Sequence, residues 1–350
     1  MIVDVHAHAV LEATFGAAGP AGPELGIDAD GVETFRADRF VLRGVSYRDS
    51  AFMDADRRVA AMDEAGIDVQ VLSPNPLTYF HHLDPATAQD FCRRHNDAMA
   101  EVCARHPSRL RGFAALPMQD PASAADELRR AVTDLGLVGP YVGTDLGRPL
   151  DDPALDPVYV ACVDLGIPLF FHPEPPGTNV GPRDPRLARF DLDMTAGFAH
   201  EETITVATLV YSDLLMRHPT LDIAISHGGG AMAFLAGRLR RAAEVRPWTD
   251  EVLRQPGEFD RRLRRLHYDS HVHDPGSLAL LRALVGDERL LYGTNFCGWD
   301  AGAADHQSSG RSKAGPSETG LMETGLMETG LMETGLMETM GANATRLLGL

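Results

Sequence analysis

Eight short runs with the pattern of β-strands alternate with longer helical stretches, and this alternation constrains the fold more than any other feature of the chain. It is typical of parallel strands connected by helices. Eight such strands favour a closed barrel over an open, doubly wound sheet. We therefore predict an α/β fold, a (β/α)8 TIM barrel, with its active site at the C-terminal ends of the strands. The predicted strands cover residues 2–6, 69–73, 112–116, 138–142, 168–172, 222–227, 266–270 and 290–294.

The whole chain, residues 1–350, is predicted to form one domain, because barrels of this length are commonly single units. Residues 54–65 are predicted to form a helix that ends before Gly66, and residues 90–106 a helix that stops at Pro107. Residues 9–50 separate the first strand from the first helix and are rich in Gly, Pro and Ala. A connection this long is usually functional or disordered, so we expect a lid or small insert over the barrel mouth.

Residues 318–340 repeat the sequence Leu-Met-Glu-Thr-Gly with a period of five. Five residues advance about 500° around a helix, so the apolar pairs do not form one constant face. The glycine of each copy weakens a helix further. We predict a low-complexity segment, followed by a C-terminal helix over residues 341–350.

A formal net charge of −18 argues against a nucleic-acid partner, which requires clustered Lys and Arg. A few local arginines would still suffice for a small anionic substrate. The sequence has neither a signal-peptide pattern nor an apolar run of about 20 residues, which a membrane span requires. We therefore expect a cytoplasmic protein with no membrane partner. Its cysteines lack disulfide or zinc-knuckle spacing and are expected to be reduced: Cys92, Cys103, Cys162 and Cys297.

The first strand ends in the motif Asp-Val-His-Ala-His, which contains His6 and His8. Side chains alternate along a strand, so these two histidines are predicted to point the same way. Two imidazoles on one face can bind a single divalent cation, with nitrogen ligands about 2.0–2.1 Å from zinc. Taken alone, the motif could equally be two surface histidines at a strand end.

Three later strands also end in side chains suited to metal binding or proton transfer. His172 ends one buried apolar run, His227 ends a second, and Asn295 follows the last strand. Three glycines follow His227 and should let the backbone approach the site closely. A buried core histidine could explain any one position, but it explains poorly four histidines after strands one, five and six. No GxSxG or Walker-type loop is present, and the glycine run alone does not indicate nucleotide binding.

Together, these motifs resemble the amidohydrolase superfamily. Within it, the chain is similar to the branch of aminocarboxymuconate-semialdehyde decarboxylase, which also holds the γ-resorcylate and carboxyvanillate decarboxylases and oxalomesaconate hydratase. The resemblance extends from His6 through Asn295 and into the terminal Gly-Ala-Asn-Ala-Thr-Arg-Leu-Leu. It also includes Glu202-Thr203 and Gly237-Arg238.

The resemblance implies that His6, His8 and His172 ligate one divalent metal, Zn²⁺ or Mn²⁺, and that His227 is the acid or base that handles a proton. It implies that Arg238 faces a substrate carboxylate, across the interface of a homodimer in the decarboxylase. Without the resemblance, Arg238 would be interpreted as a helix-surface residue in the basic run 238–241.

Asn295 departs from the family pattern, which normally has an acidic residue at this position. We expect it to be both a metal ligand and a catalytic position. An amide oxygen is neutral and binds a cation more weakly than a carboxylate does. The site would keep the full charge of the metal and favour an anionic substrate and bound hydroxide, but it would lose a base. Asp300 could compensate; otherwise the chemistry is shifted, the metal is weakened, or the protein is an inactive relative.

Two further histidine pairs are weaker candidates. His271 and His273 form a second His-x-His motif after strand seven, beside Asp269. Strand seven contributes no ligand in the related enzymes, so we expect a pocket-lining or solvated role. His81 and His82 are predicted to lie in a surface loop.

The leading functional hypothesis is non-oxidative decarboxylation of an aromatic or dienic carboxylic acid, in which the metal polarises a substrate oxygen and His227 protonates the carbon that loses CO₂. The first alternative is hydrolysis or hydration of a related carboxylate by metal-bound water. That reaction needs a base near the metal, which Asn295 is not. The second alternative is an inactive or metal-free binding protein, which the metal content would distinguish.

Overall fold

The computed structural model describes residues 1–174, 184–296 and 334–350, with side chains from residue 335 in the last segment. The strands are β1 Val3–Ala9, β2 Glu24–Ile27, β3 Glu33–Ala37, β4 Phe40–Arg43, β5 Val69–Pro74, β6 Leu110–Gly112, β7 Tyr141–Gly143, β8 Leu169–His172, β9 Ile223–Ile225, β10 His267–Asp269 and β11 Leu290–Leu291. The helices are α1 Ala55–Glu64, α2 Pro85–Arg105, α3 Pro121–Thr133, α4 Asp156–Leu165, α5 Leu192–Thr195, α6 Gly197–Tyr211, α7 Leu214–Arg217, α8 Met232–Val245, α9 Glu258–Leu263, α10 Pro275–Val285 and α11 Thr334–Leu348.

Each of the eight predicted strands overlaps an observed parallel strand, namely β1 and β5 to β11. These strands form two sheets, with the orders β1-β5-β6 and β11-β10-β9-β8-β7. Isolated parallel bridges connect the sheets at both edges, pairing Asp4 with Tyr292 and Ala114 with Pro140. The regular ladders therefore do not form one closed sheet, although the strand order is that of a barrel.

Two aspartates define where the first two predicted helices begin. Asp54 caps α1 by accepting hydrogen bonds from the N–H groups of Asp56 and Arg57. Asp84 caps α2, and Pro85 occupies its first turn, so this helix begins five residues before the predicted position 90. A bilayer could not be crossed by any helix in the described segments, since none is both long and apolar enough.

Strand β1 contains one residue more than its partner at its centre. Between Asp4 and Ala7 it advances by three residues, whereas β5 advances only from Gln70 to Leu72. Such a β-bulge changes which face of the sheet the following side chains take. The N–H of His6 donates to the Asp4 carboxylate at 3.1 Å, so the bulge leaves this group with a partner.

Strand side chains pack in two directions. Val5, Phe170 and Leu291 belong to one buried apolar cluster, whereas Phe171 belongs to a larger cluster that includes residues of the surrounding helices. Because side chains alternate, His172 shares a face with Phe170. The first of these clusters therefore lies beneath the histidines.

The expected insert at residues 9–50 folds into an antiparallel sheet with the order β2-β3-β4. Phe35 of β3 belongs to an apolar cluster with Leu77, Phe80 and Phe296, which follow β5 and β11. The side chains of Asp38 and His82 approach to 3.1 Å. The insert thus packs against segments at the C-terminal ends of the parallel strands.

Helix α11 begins at Thr334, inside the five-residue repeat, and not at residue 341 as expected. Other copies of the repeat end in Gly, whereas the last copy ends in Met340. Leu336, Met337 and Met340 are buried. The apolar residues of the last repeat copy are therefore part of the C-terminal helix and contribute to its buried face.

The packing of α11 joins the two ends of the chain. A Cβ atom on Gly341 would lie 2.0 Å from the carbonyl oxygen of Met1, so only glycine allows this approach. Asn343 donates hydrogen bonds to the carbonyl oxygens of Asp287 and Leu290, both at 2.9 Å. Among the described cysteines, Cys92, Cys103 and Cys162 are free; Cys297 and Asp300 lie outside the described residues.

The substitution Met340→Ala should lower the free energy of unfolding by about 2–5 kcal/mol, the usual effect of truncating a buried side chain. Glu338→Ala removes an exposed side chain from the same turn and should change it by less than about 0.5 kcal/mol. Urea denaturation measures both. Equal, small effects would mean that the last repeat copy does not pack against the protein.

Candidate metal centre

The predicted histidines from strands β1 and β8 meet in one buried group. The ring nitrogens that His6, His8 and His172 offer lie within 4.8 Å of one another. The Nε2 atoms of His6 and His8 are 3.3 Å apart. Two nitrogen ligands of one tetrahedral Zn²⁺ lie about 3.4 Å apart, given bonds of roughly 2.0–2.1 Å. The spacing of this pair fits a shared cation.

Each of the three imidazoles uses its Nδ1 in a hydrogen bond with the protein. His6 Nδ1 contacts the carboxylate of Asp269 at 2.8 Å, and His172 Nδ1 contacts the carbonyl of Pro173 at 2.6 Å. His8 Nδ1 contacts the carbonyl of Pro74 at 3.1 Å and the hydroxyl oxygen of Ser73 at 2.9 Å, and that hydroxyl donates to the carbonyl of Ala7. These oxygens accept, so the ring proton lies on Nδ1 and the lone pair on Nε2. This is the usual arrangement behind metal-binding histidines.

The environment of His172 supports the same assignment. Its Nε2 is buried and has no hydrogen-bond partner in the described part of the chain. Burial, followed by the neighbouring His8, His227 and His6, lowers the pKa of His172 well below its usual value. A neutral imidazole with a buried, unused lone pair is suited to bind a cation, so the donor set fits one divalent metal.

Asp269, at the end of β10, precedes the second His-x-His motif, and the sequence pattern predicted no role for it. Its carboxylate is buried and accepts hydrogen bonds from His6 Nδ1 and from the N–H of His271 at 3.0 Å. Burial raises the pKa of Asp269, whereas His227 and His271 lower it. A Cβ atom on Gly293 would lie 3.0 Å from the Cβ atoms of both Asp269 and His6, so glycine permits their close approach.

His227 lies beside the histidine group and is paired with a buried carboxylate. Its ring centroid is 4.8 Å from that of His6 and 5.0 Å from that of His172. Its Nδ1 contacts Glu202 Oε1 at 2.7 Å, and Ser226 donates to the same oxygen at 2.6 Å. Burial raises the pKa of Glu202, and His227 lowers it. Glu202 thus orients His227 through Nδ1 while the ring lies beside those of His6 and His172.

The glycine run after His227 approaches the site at its first residue, where the N–H of Gly228 donates to the Asp269 carboxylate, and its next two residues serve the packing of the chain. A Cβ atom on Gly230 would lie 2.2 Å from the carbonyl oxygen of Ala199 in α6, and one on Gly229 would lie 3.0 Å from Tyr268. The glycines therefore let this loop pack tightly against α6 and β10. Since α6 also carries Glu202, the contact with Ala199 fixes the distance between Glu202 and His227.

Asn295 is buried and follows β11 in the left-handed backbone region, with φ of 52°. Asparagine tolerates this conformation better than most residues do. The next residue, Phe296, donates its N–H to the carbonyl of His6 at 3.1 Å. Asn295 therefore lies beside strand β1 at the level of its histidines; its predicted role as a ligand stays a prediction.

The other candidates take different positions. Arg238 is exposed on α8, and no hydrogen bond or ion pair involves it within the described segments. The His271 ring lies 5.7 Å from that of His6 and 4.8 Å from that of His273, which extends the cluster of imidazoles. His81 is not a plain surface residue: it stacks on Tyr79 and accepts from the N–H of Gly143 at 3.3 Å. Burial lowers its pKa to about 3.

Comparison with known proteins gives a consistent result. A family model described as amidohydrolase matches residues 3–350. The chain is 32% identical over 264 residues to 2-amino-3-carboxymuconate-6-semialdehyde decarboxylase of Dictyostelium discoideum, covering 74% of this chain and 71% of that protein. It is 32% identical over 274 residues to γ-resorcylate decarboxylase of Rhizobium sp. (strain MTP-10005), covering 72% and 79%.

Among solved structures, a dihydroxybenzoic acid decarboxylase from Polaromonas sp. JS666, with bound manganese and the inhibitor 2-nitroresorcinol, is similar over 100% of this chain and 97% of that chain. The TM-score is 0.68 and the sequence identity 25%. Together with the family match, this likeness implies the TIM-barrel fold that the strand pattern predicts.

The purified protein should contain about one divalent metal per chain, and the substitutions His6→Ala, His8→Ala and His172→Ala should each remove most of it, because each deletes one Nε2 ligand. His273→Ala, in the second His-x-His motif, should retain the metal. Elemental analysis of the four variants measures the content. Stoichiometric metal in all three ligand variants would show that the cation binds elsewhere.

Proposed function

The chain belongs to the amidohydrolase family, and we propose that it is a metal-dependent carboxy-lyase that removes CO₂ from an aromatic or dienic carboxylic acid without oxidation. The observation that carries this proposal is the position of His227, supported by Glu202, directly beside three buried imidazoles whose ligand nitrogens lie within 4.8 Å of one another. Such a site combines a proton donor with a place for a divalent cation. The similar decarboxylases named above support the same reaction class.

The three histidines would hold Zn²⁺ or Mn²⁺, which would polarise a substrate oxygen next to the carboxylate and stabilise the charge that develops as the C–C bond breaks. All other steps depend on the protein. The buried imidazoles exclude water from their side of the site, and His227 keeps part of its side chain exposed, at 18%. The substrate would therefore approach from the side of His227.

His227 would transfer the proton. Its Nδ1–H donates to Glu202, so a proton on Nε2 makes the ring a cation that the buried carboxylate stabilises. This Nε2–H would protonate the carbon that carries the carboxylate. The C–C bond to the carboxylate then breaks, its electron pair returns to the substrate, and CO₂ leaves. A proton from solvent restores His227, so hydrogen replaces the carboxylate overall.

Hydrolysis or hydration fits the site less well. Attack by water requires a base beside the metal, and Asn295 is a neutral amide. The Asp269 carboxylate lies close to His6, but its oxygens already accept from the ring of His6 and from the N–H of His271. Glu202 is likewise engaged with His227 and Ser226. Asp269 and Glu202 thus orient other residues.

We further propose that the protein acts as a homodimer in which Arg238 faces the substrate carboxylate of the neighbouring chain. Arg238 is exposed on α8, and Phe234, one turn earlier on the same helix, is 83% exposed. A large exposed aromatic beside an arginine is typical of a protein interface. The pairing would place a cation near the anionic substrate.

We also propose that the two sheets close into one barrel and that the insert acts as its lid. The bridges at Asp4 and Ala114 support closure of the two sheets into one barrel. The insert of residues 9–50 shares an apolar cluster with Leu77, Phe80 and Phe296, at the C-terminal ends of the strands. This contact supports a role as a lid over the active site.

The substitution His227→Asn should reduce the decarboxylation rate by roughly 10²-fold or more, which is the usual contribution of a general acid. The metal content should stay unchanged, because the substitution removes a proton donor and not a ligand. The matched control is His200→Asn, which changes an exposed histidine of α6 and should keep the rate. Loss of metal in His227→Asn, with no separate catalytic effect, would reassign His227 as a ligand.

The substitution Asn295→Asp should tighten metal binding, because a carboxylate adds a charge-assisted bond to the cation. The introduced carboxylate also supplies a base, so any hydrolytic product should increase relative to the decarboxylated one. Its negative charge should lower the affinity for the anionic substrate. Metal titration and product analysis read these effects separately.

The control for this variant is Asn75→Asp. Asn75 is also buried after a strand, and its side-chain oxygen accepts from the N–H of Leu77, which an aspartate can equally do. The variant Asn75→Asp adds the same negative charge at a position that is not a proposed metal ligand. Equal metal affinity in wild type and Asn295→Asp would show that residue 295 does not reach the metal.

A further inference from the structure

We propose that Asp269 is a positioning residue of the metal centre: it fixes the His6 ring with its lone pair on Nε2 and supplies negative charge to the cation through that ring. This inference rests on the proposed metal site at His6, His8 and His172. It explains how a site with a neutral amide after its last strand still has a carboxylate close to the metal.

The contact between Asp269 and His6 is short and fully enclosed. The Oδ2 atom of Asp269 lies 2.8 Å from His6 Nδ1, and the two side chains are 3% and 1% exposed. An ionised carboxylate can only accept hydrogen bonds, so Nδ1 of a neutral His6 must carry the ring proton. The opposite nitrogen then presents its lone pair toward His8, whose Nε2 is 3.3 Å away.

The backbone holds Asp269 rigidly in this position. Strand β10 lies between β9 and β11, and Asp269 pairs with Leu291. The second carboxylate oxygen accepts from the N–H of His271 at 3.0 Å, which fixes the rotation of the side chain. Gly293 leaves the space between Asp269 and His6 free of a side chain. The geometry therefore does not depend on the metal being bound.

The charge of Asp269 is important because the other donors are neutral. The Nδ1 atoms of His8 and His172 contact neutral oxygens, the Pro74 carbonyl and Ser73 hydroxyl for His8 and the Pro173 carbonyl for His172. A carboxylate hydrogen-bonded to a ligand histidine raises the basicity of its ring and strengthens the bond to the cation. Asp269 thus acts on the metal from β10, a strand that contributes no proposed ligand.

The test compares the metal affinity of Asp269→Asn with that of Glu202→Gln, a matched change of a buried carboxylate that contacts a histidine outside the ligand set. Calorimetric titration of the metal-free proteins with Co²⁺ should show the dissociation constant rising about 10–100-fold in Asp269→Asn. Glu202→Gln should stay within about threefold of wild type, since it removes no contact to a ligand. A wild-type constant in folded Asp269→Asn, or an equal loss in both variants, would overturn the proposal.

A second measurement uses the unaltered chain and does not depend on a variant that folds. Nitrogen-15 NMR of histidine-labelled, metal-free protein reports which ring nitrogen of each histidine carries the proton, and His6→Gln identifies the His6 signals by their loss. We expect the Nδ1–H form for His6. The Nε2–H form would overturn the proposal.

The part played by charge is tested by combining the variants. The carboxylate introduced by Asn295→Asp should partly replace the negative charge of Asp269. The loss of metal affinity caused by Asp269→Asn should therefore be smaller in the Asn295→Asp background than in wild type. Equal losses would restrict Asp269 to orienting the ring and would overturn its electrostatic role. Failure of the metal site itself would be seen separately, as unchanged Co²⁺ binding in His6→Ala and His172→Ala.

Discussion

The carboxylate of Asp4 joins three parts of the chain, and the position of His6, a proposed metal ligand, depends on it. Its Oδ1 accepts from the N–H groups of His6 and Thr294, at 3.1 and 3.2 Å, and its Oδ2 accepts from the Gln70 amide and the Thr294 hydroxyl, both at 2.8 Å. Burial raises the pKa of Asp4 to about 6, and these four hydrogen bonds oppose that rise. Because His6 is one of the donors, the same side chain stabilises both the bulge in β1 and the junction of β1 with β5 and with the segment after β11.

The three histidines proposed as ligands are arranged at a cost that a cation would remove. The lone pairs of His6 and His8 face each other, and the Nε2 of His172 is buried with no hydrogen-bond partner in the described chain. An unsatisfied buried polar group costs about 1–3 kcal/mol. The Nδ1 contacts prevent the rings from turning to relieve this cost, whereas a cation at the proposed site would relieve it. Metal binding at this site would therefore be coupled to folding stability.

The strand pattern predicted the fold well because it depends on local alternation. Each parallel strand overlaps its predicted range, and three of the histidines predicted at strand ends, His6, His8 and His172, lie together in the structure. Asp269 was not assigned a role, because its importance lies in a contact with His6 that spans 263 positions of sequence. Helix α11 includes the last repeat copy, contrary to the prediction, because Met340 replaces the Gly of the other copies and extends the buried apolar face. Long-range pairing and single exceptions to a repeat are the features that composition and periodicity do not encode.

Two buried carboxylates use the same bond for opposite purposes. Asp269 and Glu202 each accept from the Nδ1 of a histidine, at 2.8 and 2.7 Å. In the proposed mechanism, the carboxylate behind His6 would make Nε2 a better electron-pair donor for a cation, and the one behind His227 would stabilise the ring once Nε2 has taken a proton. Exposure distinguishes the two proposed roles, because His6 is 1% exposed and His227 is 18% exposed. A ring enclosed among other imidazoles is suited to bind a cation, whereas a ring at the open side is suited to exchange its proton with substrate and solvent.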